Sequence, residues 1–176
     1  VTNPPGPNSR QVAARYTIRD ALQQKFVAAM ADPTRRRRFK VSVSRRGETF
    51  VVWVRVPSES YAVDYDVVMH LSFPEGARAV SSADVRLYCN APSWIFTQAY
   101  AFAQAGFLAD GWEAACGRAA VEPPKVTNEY EEIGFDKVVF QAVLFATGPA
   151  GLVTIRDLQA SPIGLAPNPR DPKLSA

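Results

Sequence analysis

Histidine is nearly missing from this 176-residue chain: His70 is the only one. A single imidazole leaves little room for the base-and-orienter pairs of nucleophilic catalysis. Cysteine is just as scarce. Cys89 and Cys116 are too few for a disulfide scaffold, which a chain this long does not need, and are expected to be buried thiols in a reducing compartment. A zinc site built from His70, Cys89 and Cys116 would need a fourth ligand and lacks close paired spacing, so it is rejected. The ten glycines never form Gly-x-Gly-x-x-Gly or a loop ending in Gly-Lys-Ser/Thr. Nucleotide and dinucleotide binding therefore have no signal, and no cofactor is expected. Long apolar runs are missing too. The richest windows, Trp94–Ala103 and Val138–Ala146, fall short of the roughly 20 residues that cross a bilayer, so no membrane contact is expected. The start Val1-Thr2-Asn3-Pro4-Pro5 has neither the basic nor the apolar part of a signal peptide, and secretion by that route is not expected.

What is present is a composition that folds. Hydrophobic residues make up 47% and charged residues 21%, far from the polar, highly charged balance that keeps chains disordered. The length fits one domain. Prolines gather at Pro4, Pro5 and Pro7, at Pro123 and Pro124, and at Pro162, Pro167, Pro169 and Pro172, where they remove donors and forbid helix. These positions divide the chain into an extended arm over 1–8, a single α+β domain over 9–158 and an extended tail over 159–176.

Hydrophobic periodicity orders the domain. Thr17 and Asp20 make a capping box, and Ile18, Leu22, Phe26 and Met30 recur on one face of a first helix that Asp32-Pro33 stops. The period then changes to two. Phe39, Val41 and Val43 alternate with polar residues, Arg45-Arg46-Gly47-Glu48 turns the chain, and Thr49–Val56 returns as a second strand. Tyr65, Val67, Met69, Leu71 and Phe73 form a third strand, and Val85, Leu87 and Cys89 a fourth. Short connections favour an antiparallel four-stranded meander packed against two or three helices, an α+β fold with extended N- and C-terminal arms. Pro92-Ser93 starts an apolar helix reaching toward Gly106, Trp112–Ala120 forms a short one, and Asn128 with Glu131 caps a third long helix through Leu144. Leu152–Leu158 is of uncertain type.

Chemistry-bearing groups are thinly spread. Asp64 and Asp66 lie on one side of a strand, a spacing that serves acid–base work or a divalent ion but also decorates solvated surfaces. The same holds for Glu131 and Glu132. No catalytic or metal-binding set is assigned. Charge is more informative. Arg35, Arg36, Arg37, Arg38, Lys40, Arg45 and Arg46 fall between Pro33 and Gly47 with no acid among them, while the rest of the chain holds 13 basic and 17 acidic residues, a net of about −4. Such a block contacts phosphates through guanidinium forks, meets an acidic protein patch, or is simply solvated.

The segment Val85-Arg86-Leu87-Tyr88-Cys89-Asn90-Ala91-Pro92-Ser93-Trp94-Ile95-Phe96-Thr97, followed by Gln98-Ala99-Tyr100, by Pro124 to Asn128 and by Phe135-Asp136-Lys137, resembles small virion-associated proteins of tailed bacteriophages. The resemblance covers residues 65–145 and rests on a strand-turn-helix pattern around Asn-x-Pro-Ser-x-x-Phe-Thr. It implies a structural subunit rather than an enzyme, placed in a virion or in the cytoplasm during assembly, and it transfers no site residue. The expected partners are other protein subunits, including copies of this chain, met through the arms and the basic hairpin. The alternative is a nucleic-acid-binding accessory protein that uses Arg35 to Arg46.

Overall fold

The protein is described by a computed structural model over residues 15–22, 38–77, 79–125, 127–128, 133–134, 136–148, 151–161 and 163–164. Four strands, β1 (Lys40–Arg46), β2 (Thr49–Pro57), β3 (Asp64–Ser72) and β4 (Asp84–Cys89), form one antiparallel sheet in sequence order. Six α-helices occur among the described residues: α1 (Ile18–Leu22), α2 (Pro92–Thr97), α3 (Ala99–Ala105), α4 (Glu113–Cys116), α5 (Lys137–Thr147) and α6 (Ile155–Ala160). The architecture is the expected α+β meander. Residues 1–8, and Phe26 and Met30 of the expected first helix, lie outside the described residues.

Register assigns each residue to a face, because cross-strand partners in an antiparallel sheet point the same way. One face aligns Val41, Val54, Val67 and Cys89, then Val43, Val52, Met69 and Leu87. These residues form the core. Helix α5 covers this face, with α1 beside it and with Phe145 packed on Phe39 at 4.8 Å between ring centroids. Buried almost all round from Val139 to Thr147, α5 reads as a nearly continuous apolar run. Its one buried amide, Gln141, donates to Glu59 at 3.1 Å from the β2–β3 loop.

The opposite face is covered as well. There Trp53, Val68 and Tyr88 align, and Trp112 stacks on Tyr88 at 4.5 Å while meeting Trp53 edge-on at 5.3 Å. Coverage on both sides explains why β3 is buried from Asp66 through Leu71, and why Val67-Val68-Met69 lacks polar alternation.

The β4 edge is occupied, and the β1 edge is met at one residue. On β4, Val85 donates to Tyr16 O at 2.8 Å, Leu87 donates to Phe107 O at 2.8 Å, and Ala109 donates back to Leu87 O at 2.9 Å. On β1, Ile163 forms a parallel bridge with Arg45. Occupied edges discourage uncontrolled strand pairing with other chains.

Several elements differ from the expected ones. The apolar run from Pro92 does not make one helix. It breaks at Gln98, whose side chain turns instead to accept from the Gly134 amide at 2.8 Å. The third long helix begins at Lys137 rather than after Asn128, since Asp136 provides the cap. Asn128 has a positive φ of 60° and donates through Nδ2 to Thr97 O at 2.7 Å, so it holds a loop against α2. Glu129, Glu131 and Glu132 lie outside the described residues. Trp112–Ala120 divides into α4 and a 3-10 turn, Gly117–Ala120.

Candidate functional site

The basic block does not form one patch. Arg35, Arg36 and Arg37 lie outside the described residues. Arg38 and Lys40 are exposed at the start of β1, while Arg45 and Arg46 sit at its far end, where Gly47 and Glu48 close a two-residue loop. Gly47 has φ of 59°, which the first position of a tight II′ hairpin turn requires. Lys40 and Arg46 share a face but are six residues apart, roughly 20 Å at about 3.3 Å per residue. Lys40 stands opposite Arg55, which forms an ion pair with Asp64. Arg45 points the other way, level with Phe50 and Leu71 at the rim of the core.

At the hairpin tip a second segment joins the cations. The Gly164 amide donates to Arg45 O at 2.6 Å, and Ser44 Oγ donates to Gly164 O at 2.9 Å. This backbone pairing belongs to the stretch read from sequence as the start of the tail. It is reached through α6, which a capping box begins: Thr154 Oγ1 accepts from the Asp157 amide at 3.2 Å, and Asp157 accepts from the Thr154 amide at 2.7 Å. Leu158 seats α6 in the core. Ile163, by contrast, is 79% exposed. Ile163 therefore stands exposed at the backbone of Arg45, while the side chains of Arg45 and Arg46 leave the hairpin end on opposite faces of the sheet. The sequence signals for it were Gly164 and the Thr154-x-x-Asp157 spacing.

The acid and histidine candidates are placed differently. Asp64, Asp66 and His70 do share a face, yet Asp66 and His70 are four residues apart, roughly 13 Å along the strand. Asp64 is engaged by Arg55. Asp66 is buried at the strand entrance, where its amide donates to Asn90 Oδ1 at 2.8 Å and its carbonyl accepts from the Asn90 amide at 3.1 Å. The loop that follows β4 is thereby fastened to β3. His70 lies beneath Trp112's segment, near the Arg86–Asp110 ion pair. Burial lowers its pKa, with Asp110 opposing and Arg46 and Arg86 adding to the fall. These groups serve local structure and do not converge on one cavity.

Cys89 and Cys116 are both buried free thiols. Burial pushes Cys116 up to about 11 and Cys89 well above its ordinary value, so neither is a thiolate near neutral pH. No group of three or more His, Cys, Asp or Glu side chains among the described residues can hold a metal ion. No helix among them is long and apolar enough to cross a membrane. No family model, curated protein or solved structure matches the chain.

Proposed function

We propose that the protein is a non-enzymatic structural or assembly subunit, of the kind found in bacteriophage particles, that docks to neighbouring protein subunits through its hairpin tip and adjoining tail. One observation carries the reading: the tail root is bonded into the edge of the basic hairpin, at Gly164 and Arg45, with Ile163 exposed beside it. Interfaces of this type combine an apolar anchor with arginine, which is enriched at binding hot spots. The fitting partner surface is acidic with an apolar pocket. A homo-oligomer satisfies this chemistry because the chain outside the basic block is net acidic.

The test is assembly of the full chain, followed by light scattering and native mass spectrometry. Oligomers that dissociate when Arg45 and Arg46 both become Glu are expected. A chain that stays monomeric at tens of micromolar and captures no protein subunit overturns the proposal.

A nucleic-acid accessory role is the second reading, favoured by the exposure of Lys40 and Arg46 on one face of β1 and of Arg38 in the turn before it. It requires affinity for DNA or RNA that falls steeply with salt and is lost when Arg35 to Arg38 become Ala.

A further inference from the structure

Away from the hairpin tip, four segments enclose a cleft of about 750 Å³ at the C-terminal end of α5. Small-molecule sites have volumes of roughly 300–1,000 Å³. The walls are mainly apolar: Leu22 from α1, Ala79 and Val80 from the turn before β4, Leu144 from α5 and Val153 from the segment leading into α6. We propose that this cleft binds a small monocarboxylate with an apolar body, its carboxylate held by Arg19. The inference is independent of the assembly reading.

The polar groups decide the ligand class. Thr147 Oγ1 is spent on Val143 O at 2.8 Å, and Thr154 Oγ1 on Asp157 at 2.6 Å. Helix ends normally leave carbonyls exposed, but here three are satisfied. Leu144 O accepts from Gly148, Phe145 O from Leu152 and Ala146 O from Val153, at 3.0, 2.9 and 2.8 Å. The negative end of α5 is thus largely compensated, and the cleft offers a cation few free acceptors. Arg19 lines the opening and has no ion pair or hydrogen bond among the described residues. Ser81 is the other hydroxyl left uncommitted there, and among the described residues no acidic one lines the cleft.

Each competing ligand class leaves something unmatched. An ammonium would face Arg19. A neutral apolar molecule would make no use of the guanidinium, and a polyanion would bring charge against Leu22, Val80 and Leu144 with Arg19 the one cation among the described lining residues. A single carboxylate fits the planar guanidinium fork, with Ser81 able to donate to it, while an alkyl body covers the aliphatic wall.

Octanoate is the probe, titrated into the full chain below its micelle concentration by calorimetry, with octylamine and octanol as comparisons. Octanoate is expected to bind, to raise the melting temperature and to shift the amide resonances of Val80, Gly151 and Val153. Arg19→Gln should weaken it at least tenfold, and Ser81→Trp should block it by filling the cleft. Arg19 is exposed, so its variant is expected to fold; if Ser81→Trp does not, Arg19→Gln decides alone. Failure of octanoate to bind at millimolar concentration, equal binding of octylamine, or unchanged affinity in Arg19→Gln overturns the proposal.

Discussion

Asp136 holds the start of α5 and the hydroxyl of Ser93 on one carboxylate. Its Oδ1 accepts from the amides of Val138 at 2.9 Å and Val139 at 3.0 Å, while Oδ2 accepts from Ser93 Oγ at 2.9 Å. The helix that covers the core face is thereby tied to α2, 43 residues away in sequence. Loss of an N-cap acid costs about 0.5–2 kcal/mol, and Asp136→Ala also removes the tie to Ser93. A loss near 2 kcal/mol is expected in urea unfolding, with Asp136→Asn retaining most of the stability. Equal destabilisation by Ala and Asn would remove the capping role.

His70 makes stability depend on pH. His70 as a residue is 7% exposed, and burial holds its pKa below the ordinary 6.5. The unfolded chain therefore takes up a proton near 6.5, whereas the folded chain does so only at lower pH. Between those values the unfolded state binds more protons, so stability falls as pH drops from about 6.5. His70→Gln should flatten the decline in urea midpoint between pH 7.5 and pH 5 relative to the parent. Parallel curves for the two proteins would show that His70 contributes nothing to it.

Strand order was legible because turn chemistry and period-two alternation act locally. Gly47 at the hairpin and Thr17 with Asp20 at α1 occupy their expected places. Helix starts were harder to read where two caps competed. Asn128 with Glu131 matches the capping pattern as well as Asp136 does, yet Asn128 is committed to Thr97 O, a contact 31 residues away. The break at Gln98 has the same origin, since Gly134 claims its side chain. Composition fixed the basic character of the hairpin but not its division, because alternation along β1 sends Arg45 and Arg46 to opposite faces. Nor could periodicity show that residues 163 and 164 return to β1, since a single parallel bridge has no repeating pattern.

Trp112 is the keystone of the second sheet face. It lies against Tyr88 and Trp53, and Tyr88 in turn meets Trp94 at 6.1 Å. Replacing a large core aromatic with Ala costs about 3–5 kcal/mol, and Trp112 is only partly buried. Trp112→Ala is therefore expected to cost about 3 kcal/mol and to change the near-UV circular dichroism of the aromatic cluster. Trp112→Phe should cost less than half as much. A loss under about 0.5 kcal/mol for the Ala variant would show that the segment rests on the sheet without supporting it.

Gly151 closes the turn that brings Val153 back along α5. Its amide donates to Gly148 O at 2.8 Å, and a β-carbon built on it would lie 2.5 Å from Ala146 O, with no flexible side chain to give way. Gly151→Ala must therefore shift backbone, breaking the Leu152 and Val153 amide bonds to the end of the helix. A loss of about 1–3 kcal/mol is expected from those orphaned carbonyls. The variant should also lose octanoate affinity, because Val153 and Thr154 form one wall of the cleft. A variant as stable as the parent would mean that the turn can open without disturbing the helix end.

The tail root joins the fold to the proposed docking surface. Gly164 adopts φ of 135°, a conformation that residues with a β-carbon rarely reach, and it holds both the Arg45 carbonyl and the Ser44 hydroxyl. Gly164→Val should release Ile163 from β1 while leaving α6, which ends at Ala160, in place. The Ser44 hydroxyl is buried, so leaving it without its acceptor is expected to cost about 1–3 kcal/mol while the sheet and α6 remain folded. Self-association should nevertheless weaken at least tenfold in sedimentation velocity, since the apolar anchor no longer stands at the Arg45 edge of the hairpin. Ser44→Ala removes only one of the two bonds and should give an intermediate loss. Oligomers that persist unchanged in Gly164→Val would separate the tail root from the docking surface and leave the arginines to act alone.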